Sequence, residues 1–415
     1  MKLRVLIPLF MMLLISNVSA FEREPNISGS PSGRIYTAWM DTTANSTHLS
    51  RSLDKGITWT DQIPNGWTGV DPSVAVDLAG RVYLCILNSR IKCIRSDDHF
   101  TSIALMWELG GTKSDKPFVG IGPGDAVYIT YAGDSFPPSA CAIEANASNI
   151  FFVKSVNQGI SFTVPIQLTL GTIPNGRCTN APFVMGPNGE IIVVLNCFVV
   201  DVSQNCITQN FLLDHKVYIT RSMDGGNTFS APTEFIVPTW STNIYMNQEI
   251  KARLNLPFPA MLPNGILALI YSCENSGTDI DVCVQTSTDN GVTFSLIRIV
   301  NSDLPNSFHF WPTISADNTG LHALWLDTRS PGSLLDLSAS KIYQTFRADS
   351  KDAGITWINE RVVSSMPFTA TGDLVSSTSI GIFMSCYKSM CAWSDTTSGT
   401  AKIYFDWTIQ GLVAR

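Results

Sequence analysis

Ser222-Met223-Asp224-Gly225-Gly226-Asn227-Thr228-Phe229 is one copy of an octapeptide, Ser-x-Asp-x-Gly-x-x-Trp/Phe, whose recurrence decides the fold. The other copies are Ser52–Trp59, Ser155–Phe162 (with Asn157 for the Asp), Ser287–Phe294 and Ser350–Trp357; a worn sixth copy keeps only Ser96 and Asp98. Each position has a physical task. The carboxylate of Asp54, Asp224, Asp289 or Asp352 accepts backbone N–H bonds inside a tight turn. The glycine supplies a backbone angle that other residues adopt only at a cost. The aromatic ring packs the turn onto its own sheet. Five copies in register mark a repeat architecture of the propeller kind.

A second signature precedes the octapeptides: a proline, then a glycine six to eight residues on, then an apolar strand. The pairs are Pro25/Gly33, Pro72/Gly80, Pro117/Gly124, Pro182/Gly189, Pro259/Gly265 and Pro312/Gly320. After each glycine comes a β-rich run such as Glu190-Ile191-Ile192-Val193-Val194. A third strand enters the octapeptide, as Lys216–Arg221 does, and a fourth leaves it. Four short strands per unit is the plan of one propeller blade. A seventh unit, with Gly372-Asp373-Leu374, Met390–Asp395 and Lys402–Phe405, lacks the octapeptide. The expectation is an all-β propeller of four-stranded antiparallel blades, forming a single domain over 21–415. Seven blades are expected. Six remain open because the second unit is short and its octapeptide worn. Ring closure is left open too, since no spare strand precedes the first unit.

Residues 1–20 read as a signal peptide. Lys2 and Arg4 begin it, Val5 to Ile15 form its apolar core, and Val18-Ser19-Ala20 is a small-residue cleavage site. That core is too short to span a bilayer. A secreted chain, cleaved after Ala20, is therefore expected. The net charge is −7, and more acidic still without Lys2 and Arg4. This argues against nucleic acid as a partner, because phosphate binding requires clustered Lys and Arg. No membrane span is expected, and the oligomeric state is left open.

Ten cysteines in an exported chain point to disulfides. Spacing pairs Cys85 with Cys93, Cys197 with Cys206 and Cys273 with Cys283 across second and third strands; Cys386/Cys391 bracket a tight turn. Cys141 and Cys178 are left to each other, although spacing alone does not determine connectivity. Asn26, Asn45 and Asn146 begin glycosylation sequons.

The octapeptides and their Pro-to-Gly strands resemble the Asp-box (BNR-repeat) β-propellers of the sialidase superfamily, over the whole mature chain. The resemblance implies that the Asp-box is a structural turn on a rim away from the substrate, so Asp54, Asp224, Asp289 and Asp352 are structural. A further echo is Trp39-Met40-Asp41, Trp325-Leu326-Asp327 and Trp393-Ser394-Asp395, each ending a second strand on the opposite, loop-bearing face. Asp327, Arg329 and Asp395 are candidate ligand-binding residues there; the plainer alternative is that these Asp residues cap their loops and the Trp residues pack between blades.

Sialidase chemistry, as the resemblance implies it, takes three arginines around a carboxylate, a Tyr nucleophile with a Glu, and an Asp as acid/base. Phe21-Glu22-Arg23-Glu24-Pro25 is similar to the family's first Arg motif, with Glu24 in place of Ile and one residue more between Phe and Arg. This makes Arg23 the candidate first arginine and Asp41 the candidate acid/base. The family's late Tyr motif has no counterpart: Gly372-Asp373-Leu374 carries no Tyr, and the Pro259 unit offers Phe258. Tyr245 with Glu249 is a substitute pair, and Arg177, Arg253 and Arg329 are substitute arginines. The five histidines lack ligand spacing, so no metal and no cofactor is expected. A two-carboxylate glycosidase drawn from Asp41, Asp134, Asp327 and Asp395 is a further alternative. The favoured reading is an exported module that binds a glycan or an extracellular protein through its loop face. Two inserts attract interest, Phe198–His215 and Pro238–Leu256, the second holding Trp240, Tyr245, Glu249 and Arg253. The competing reading is an exo-acting sialidase or related glycoside hydrolase.

Overall fold

A computed structural model describes residues 22–41, 46–62, 67–112, 114–133, 149–169, 176–200, 212–237, 256–276, 279–302, 307–329, 342–369, 384–395 and 402–407. These residues form seven antiparallel blades around one axis. Blade 1 covers 22–62, blade 2 70–109, blade 3 115–167, blade 4 176–235, blade 5 258–299, blade 6 309–369 and blade 7 384–407. The short second unit is a full four-stranded blade (Val70–Val76, Val82–Asn88, Arg90–Ser96, Leu105–Leu109), which brings the count to seven. Blade 7 has three strands among the described residues. One 3-10 turn, Pro123–Asp125, is the only helical element among them. No helix among them is long and apolar enough to cross a membrane.

Position within a blade sets composition. The second strand lies between two other strands and between two other blades, so every residue of Val127–Gly133 and of Gly320–Asp327 is buried. Strands buried on both faces read as continuous apolar runs rather than alternating ones. The outer strands return to water, as in Leu105–Leu109, where half-buried and exposed residues alternate. Trp39, Trp325 and Trp393 lie on second strands and are among the largest fully buried side chains. Removing such a ring from water contributes roughly 4–6 kcal/mol at most.

The octapeptides adopt one turn. In blade 4, Ser222 Oγ donates to Asp224 Oδ1 (2.8 Å) and accepts from Gly226 N (2.7 Å), while Asp224 accepts from Thr228 N (2.9 Å) and Thr228 Oγ1 (2.6 Å). The worn copy in blade 2 forms the same network through Ser96, Asp98 and Ser102, with Phe100 at a left-handed φ of 65° where the other copies have glycine. Each glycine faces the preceding blade. A Cβ on Gly226 would lie 2.7 Å from Phe152, and one on Gly56 would lie 3.3 Å from Met390.

That last contact belongs to the ring closure, in which no described strand passes from one blade to the other. Blade 7 packs face-on against blade 1 through Ile27, Ile35, Trp39, Met390, Ala392 and Ile403. Trp59 stacks on Phe405 at 4.6 Å, and Ile27 N donates to Ser385 Oγ at 3.2 Å.

Disulfides join Cys85–Cys93, Cys178–Cys197, Cys273–Cys283 and Cys386–Cys391. The expected pairs Cys197/Cys206 and Cys141/Cys178 are therefore corrected. Cys178 lies on the inner strand of blade 4, directly opposite Cys197, so the bond crosses from first to second strand rather than second to third. Cys141 and Cys206 lie outside the described residues.

Candidate functional site

The topology separates two faces. The turns from first to second strand and the octapeptides share one face: Lys55 N donates to Gly33 O at 3.1 Å across them. The opposite face carries the starts of the inner strands and the ends of the second strands, where Glu22 lies opposite Asp41. Chemistry confined to the octapeptide turns is thus a blade's length away from that second face.

The inner strands there share a defect. Register slips between Arg23 and Asn26 in blade 1, Val70 and Ser73 in blade 2, and Phe310 and Thr313 in blade 6; blade 3 has its slip opposite Thr130/Ala132. Each slip contains one residue in left-handed backbone followed by a proline: Glu24 (φ 54°), Asp71 (φ 52°), Lys116 (φ 41°) and Trp311 (φ 45°). Non-glycine residues avoid this region, and a following proline favours extended backbone instead. Such bulges turn a side chain away from the sheet's alternation and occur beside binding sites. In three adjacent blades the turned side chains meet. Lys116 Nζ lies 3.5 Å from both carboxyl oxygens of Glu24 and contacts Asp71 Oδ1. The backbone N–H of Lys116 donates to Asp115 Oδ1 at 2.9 Å.

The trio is partly enclosed, with side-chain exposures of 14% for Glu24, 9% for Asp71 and 25% for Lys116. Burial, reinforced by Asp71, pushes the Glu24 carboxyl up to about 8, so it is mostly protonated at neutral pH. Burial opposes the Asp71 charge, but Lys116 and the hydrogen bond with Glu24 outweigh it and hold Asp71 below its ordinary value. Burial likewise opposes the ammonium of Lys116; Asp71, Glu24 and Asp115 outweigh it and raise Lys116. The arrangement at neutral pH is a neutral acid, a carboxylate and an ammonium.

These residues line a cavity of about 570 Å³ bounded by the inner strands of all seven blades. Its other lining is mostly apolar, with Phe118, Phe183, Phe258, Ile314 and Met384. Phe258 is the residue before Pro259, the counterpart in blade 5 of Glu24, Asp71 and Lys116. The pre-proline position therefore reads Glu, Asp, Lys in blades 1 to 3 and Ala181, Phe258, Trp311 in blades 4 to 6. The wall is stitched across blades: Val74 N donates to Asn26 Oδ1 at 2.8 Å and Val119 N to Ser73 Oγ at 3.0 Å.

The residues singled out by sequence are distributed otherwise. Arg23 lies on the inner strand of blade 1, opposite Met40, next to Glu24. Asp41 is buried at the end of the second strand, with its Oδ2 3.5 Å from Nε2 of His48, whose ring stacks on Trp39 at 5.4 Å. Asp327 is fully buried. Its oxygens take His309 Nε2 at 3.0 Å, Trp325 Nε1 at 3.1 Å and Arg329 Nη2 at 2.7 Å. Burial works against its charge, but His309 and Arg329 hold its carboxyl below the ordinary value. Arg329 also pairs with Glu360 at 2.6 Å and lies 4.3 Å over the Phe346 ring. This cluster braces the loop from beneath and leaves Asp327 no face for a ligand. Asp395 ends the second strand of blade 7, opposite Lys402. Asn26 uses its side-chain oxygen to hold blade 2, as above. Trp240, Tyr245, Glu249, Arg253, Asp134, Asn45 and Asn146 lie outside the described residues. Among the described residues no group of three or more His, Cys, Asp or Glu is placed to hold a metal ion. Sequence reading missed the trio. Its signal was present: an ionisable residue before the proline in three successive units.

No family model and no curated protein matches the chain. Solved structures do. A polysaccharide lyase of family 25, an ulvan lyase bound to a GlcA(1-4)Rha3S unit, superposes with a TM-score of 0.55 and 11% identity over 94% of this chain and 95% of its own. A protein of unknown function from Dyadobacter fermentans superposes with a TM-score of 0.51 and 14% identity over 96% and 98%. A Trypanosoma rangeli sialidase aligns at 12% identity over 75% of this chain and 53% of its own, with a TM-score of 0.46. At these identities the likeness is one of fold.

Proposed function

We propose that this chain is a secreted Asp-box propeller that binds a glycan at the axial mouth of its ring. The observation that carries the reading is the split pre-proline ring: three hydrogen-bonding side chains from blades 1 to 3 facing a cavity whose other wall is apolar and aromatic. Sugars present hydroxyls at their edges and C–H faces above and below, and sites combining a few polar groups with aromatic surface suit both. The ulvan lyase neighbour, bound to its saccharide, supports a saccharide as the ligand class, while the charge of the sugar is a matter for this chain's own side chains. The octapeptide turn, with its Ser–Asp–Thr network, supports the Asp-box assignment, and the four disulfides among the described residues fit export.

A glycosidase built on this trio is disfavoured by its pairing. Glu24 and Asp71 both lean on the one ammonium of Lys116, whereas a glycosidase pair keeps its two carboxyl groups free to reach the scissile bond and the attacking group. The exo-sialidase alternative rests on Arg23 and Asp41 together with Tyr245, Glu249 and Arg253. Purified full-length chain, applied to a glycan array and to a fluorogenic sialoside, separates the readings. Binding without turnover is expected. It should weaken at least tenfold in Lys116→Met and persist in Lys154→Ala, a residue of the octapeptide face. Sialoside turnover lost in Arg23→Ala replaces this reading with the enzyme.

A further inference from the structure

Resting on the glycan reading above, we infer that the axial mouth selects an uncharged sugar and rejects sugars that carry a carboxylate. The argument starts from the charges that line the cavity. Among the described residues these are Glu24, Asp71 and Lys116, two acids to one base. Asp115, one residue before Lys116, adds a third acid whose field also reaches the ammonium. Lys116 does not act as a bare cation. Its Nζ is already in contact with Asp71 and lies 3.5 Å from Glu24. An incoming carboxylate would have to displace Asp71 from the ammonium while facing it at close range in a site of reduced dielectric, where like charges repel strongly.

An anion-gripping site has a different composition. A planar guanidinium binds a carboxylate with two parallel hydrogen bonds, and a lysine does so as a point charge. No described side chain lining this cavity is an arginine. The trio instead offers what an uncharged diol requires. Asp71 accepts from hydroxyls, and Glu24, whose proton is turned to Asp71, accepts through its carbonyl oxygen. The cross-strand bonds from Asn26 and Ser73 hold the three strands at fixed separation, so the trio is set before the ligand arrives.

The test compares matched probes by calorimetry on the full chain at pH 7: neutral oligosaccharides against the same backbones ending in a uronate or sialate. Neutral probes are expected to bind at least tenfold more tightly. Asp71→Asn releases Lys116 from its closest anion and should move the neutral-to-anionic affinity ratio at least tenfold toward the anionic probe, a change that a purely structural defect does not produce. Glu24→Gln keeps the uncharged form and should retain the wild-type preference at pH 9, where the wild type loses affinity for the neutral probe. Wild-type preference for the anionic probe overturns the selectivity and leaves glycan binding standing. Failure of both probe classes to bind overturns the glycan reading itself. An affinity ratio unchanged in both variants removes the trio from the selectivity.

Discussion

At the residue scale, the octapeptide divides its work between a carboxylate and a glycine. The carboxyls of Asp54 and Asp98 are held down to about 2, first by the hydroxyl of the residue four positions on and then by its backbone N–H. Both carboxylates accept the turn's own N–H and O–H groups. The two glycines of blade 4 separate conformation from packing. Gly225 (φ 68°) has nothing within 4 Å of an added Cβ, while Gly226 (φ 79°) would place one 2.7 Å from Phe152 in blade 3. Left-handed backbone costs a residue with a Cβ about 1–2 kcal/mol. Gly225→Ala should therefore lose about 1 kcal/mol, and Gly226→Ala at least about 2 kcal/mol because the inter-blade seam must also shift. Thermal unfolding of the two variants checks the order; equal losses would show that the seam tolerates the methyl group.

At the element scale, the inner strands carry both the bulge and the charge. The pH dependence follows from Glu24. Its folded value, about 8, stands above its ordinary 4.5, so the folded chain holds a proton that the unfolded chain releases between those values. The stabilisation is complete below about pH 4 and is lost as pH rises through about 8. The groups facing Glu24 are Asp71 and Lys116 on the neighbouring inner strands, and both keep their charge across that window. The melting temperature of the wild type is expected to fall between pH 6 and 9, and Glu24→Gln should flatten that fall. A wild-type profile with the same slope as the variant would place the ionisation elsewhere.

At the scale of the whole molecule, the described residues close the ring between blades 7 and 1 by packing, and one buried charge network ties blade 6 to blade 7. Arg347, on the third strand of blade 6, is fully buried and pairs with Asp349 at 3.0 Å and, across the seam, with Asp406 of blade 7 at 3.1 Å. It also donates to Ser389 O at 2.6 Å. Removing one partner of a buried pair leaves the others without compensation, typically costing about 3–5 kcal/mol. Arg347→Met should lower stability by about that much and raise hydrogen exchange selectively in 384–395 and 402–407. Uniform exchange across all blades would mean that the seam is no weaker than its neighbours.

How much of this was legible follows from range. The octapeptides, the proline–glycine strands and the propeller plan are local patterns, because turn chemistry and strand periodicity act over a few residues, and the chain alone determined them; the choice of seven blades over six came from the complete second blade. The separation of the octapeptide rim from the loop-bearing rim also follows, since a turn confined to one rim leaves the other to the loops. Contacts between blades were not legible. Cys178 meets Cys197 because the inner strand of blade 4 pairs with the second strand in a register that sets the two residues opposite each other. Asp327, one of a repeated Trp-x-Asp set, is consumed by His309 and Arg329 and braces the fold. Glu24, Asp71 and Lys116 stand roughly 45 residues apart in sequence and meet only because ring closure brings three pre-proline bulges to one axis. Their protonation is likewise a tertiary property, set by burial and by each other rather than by the identity of any one residue.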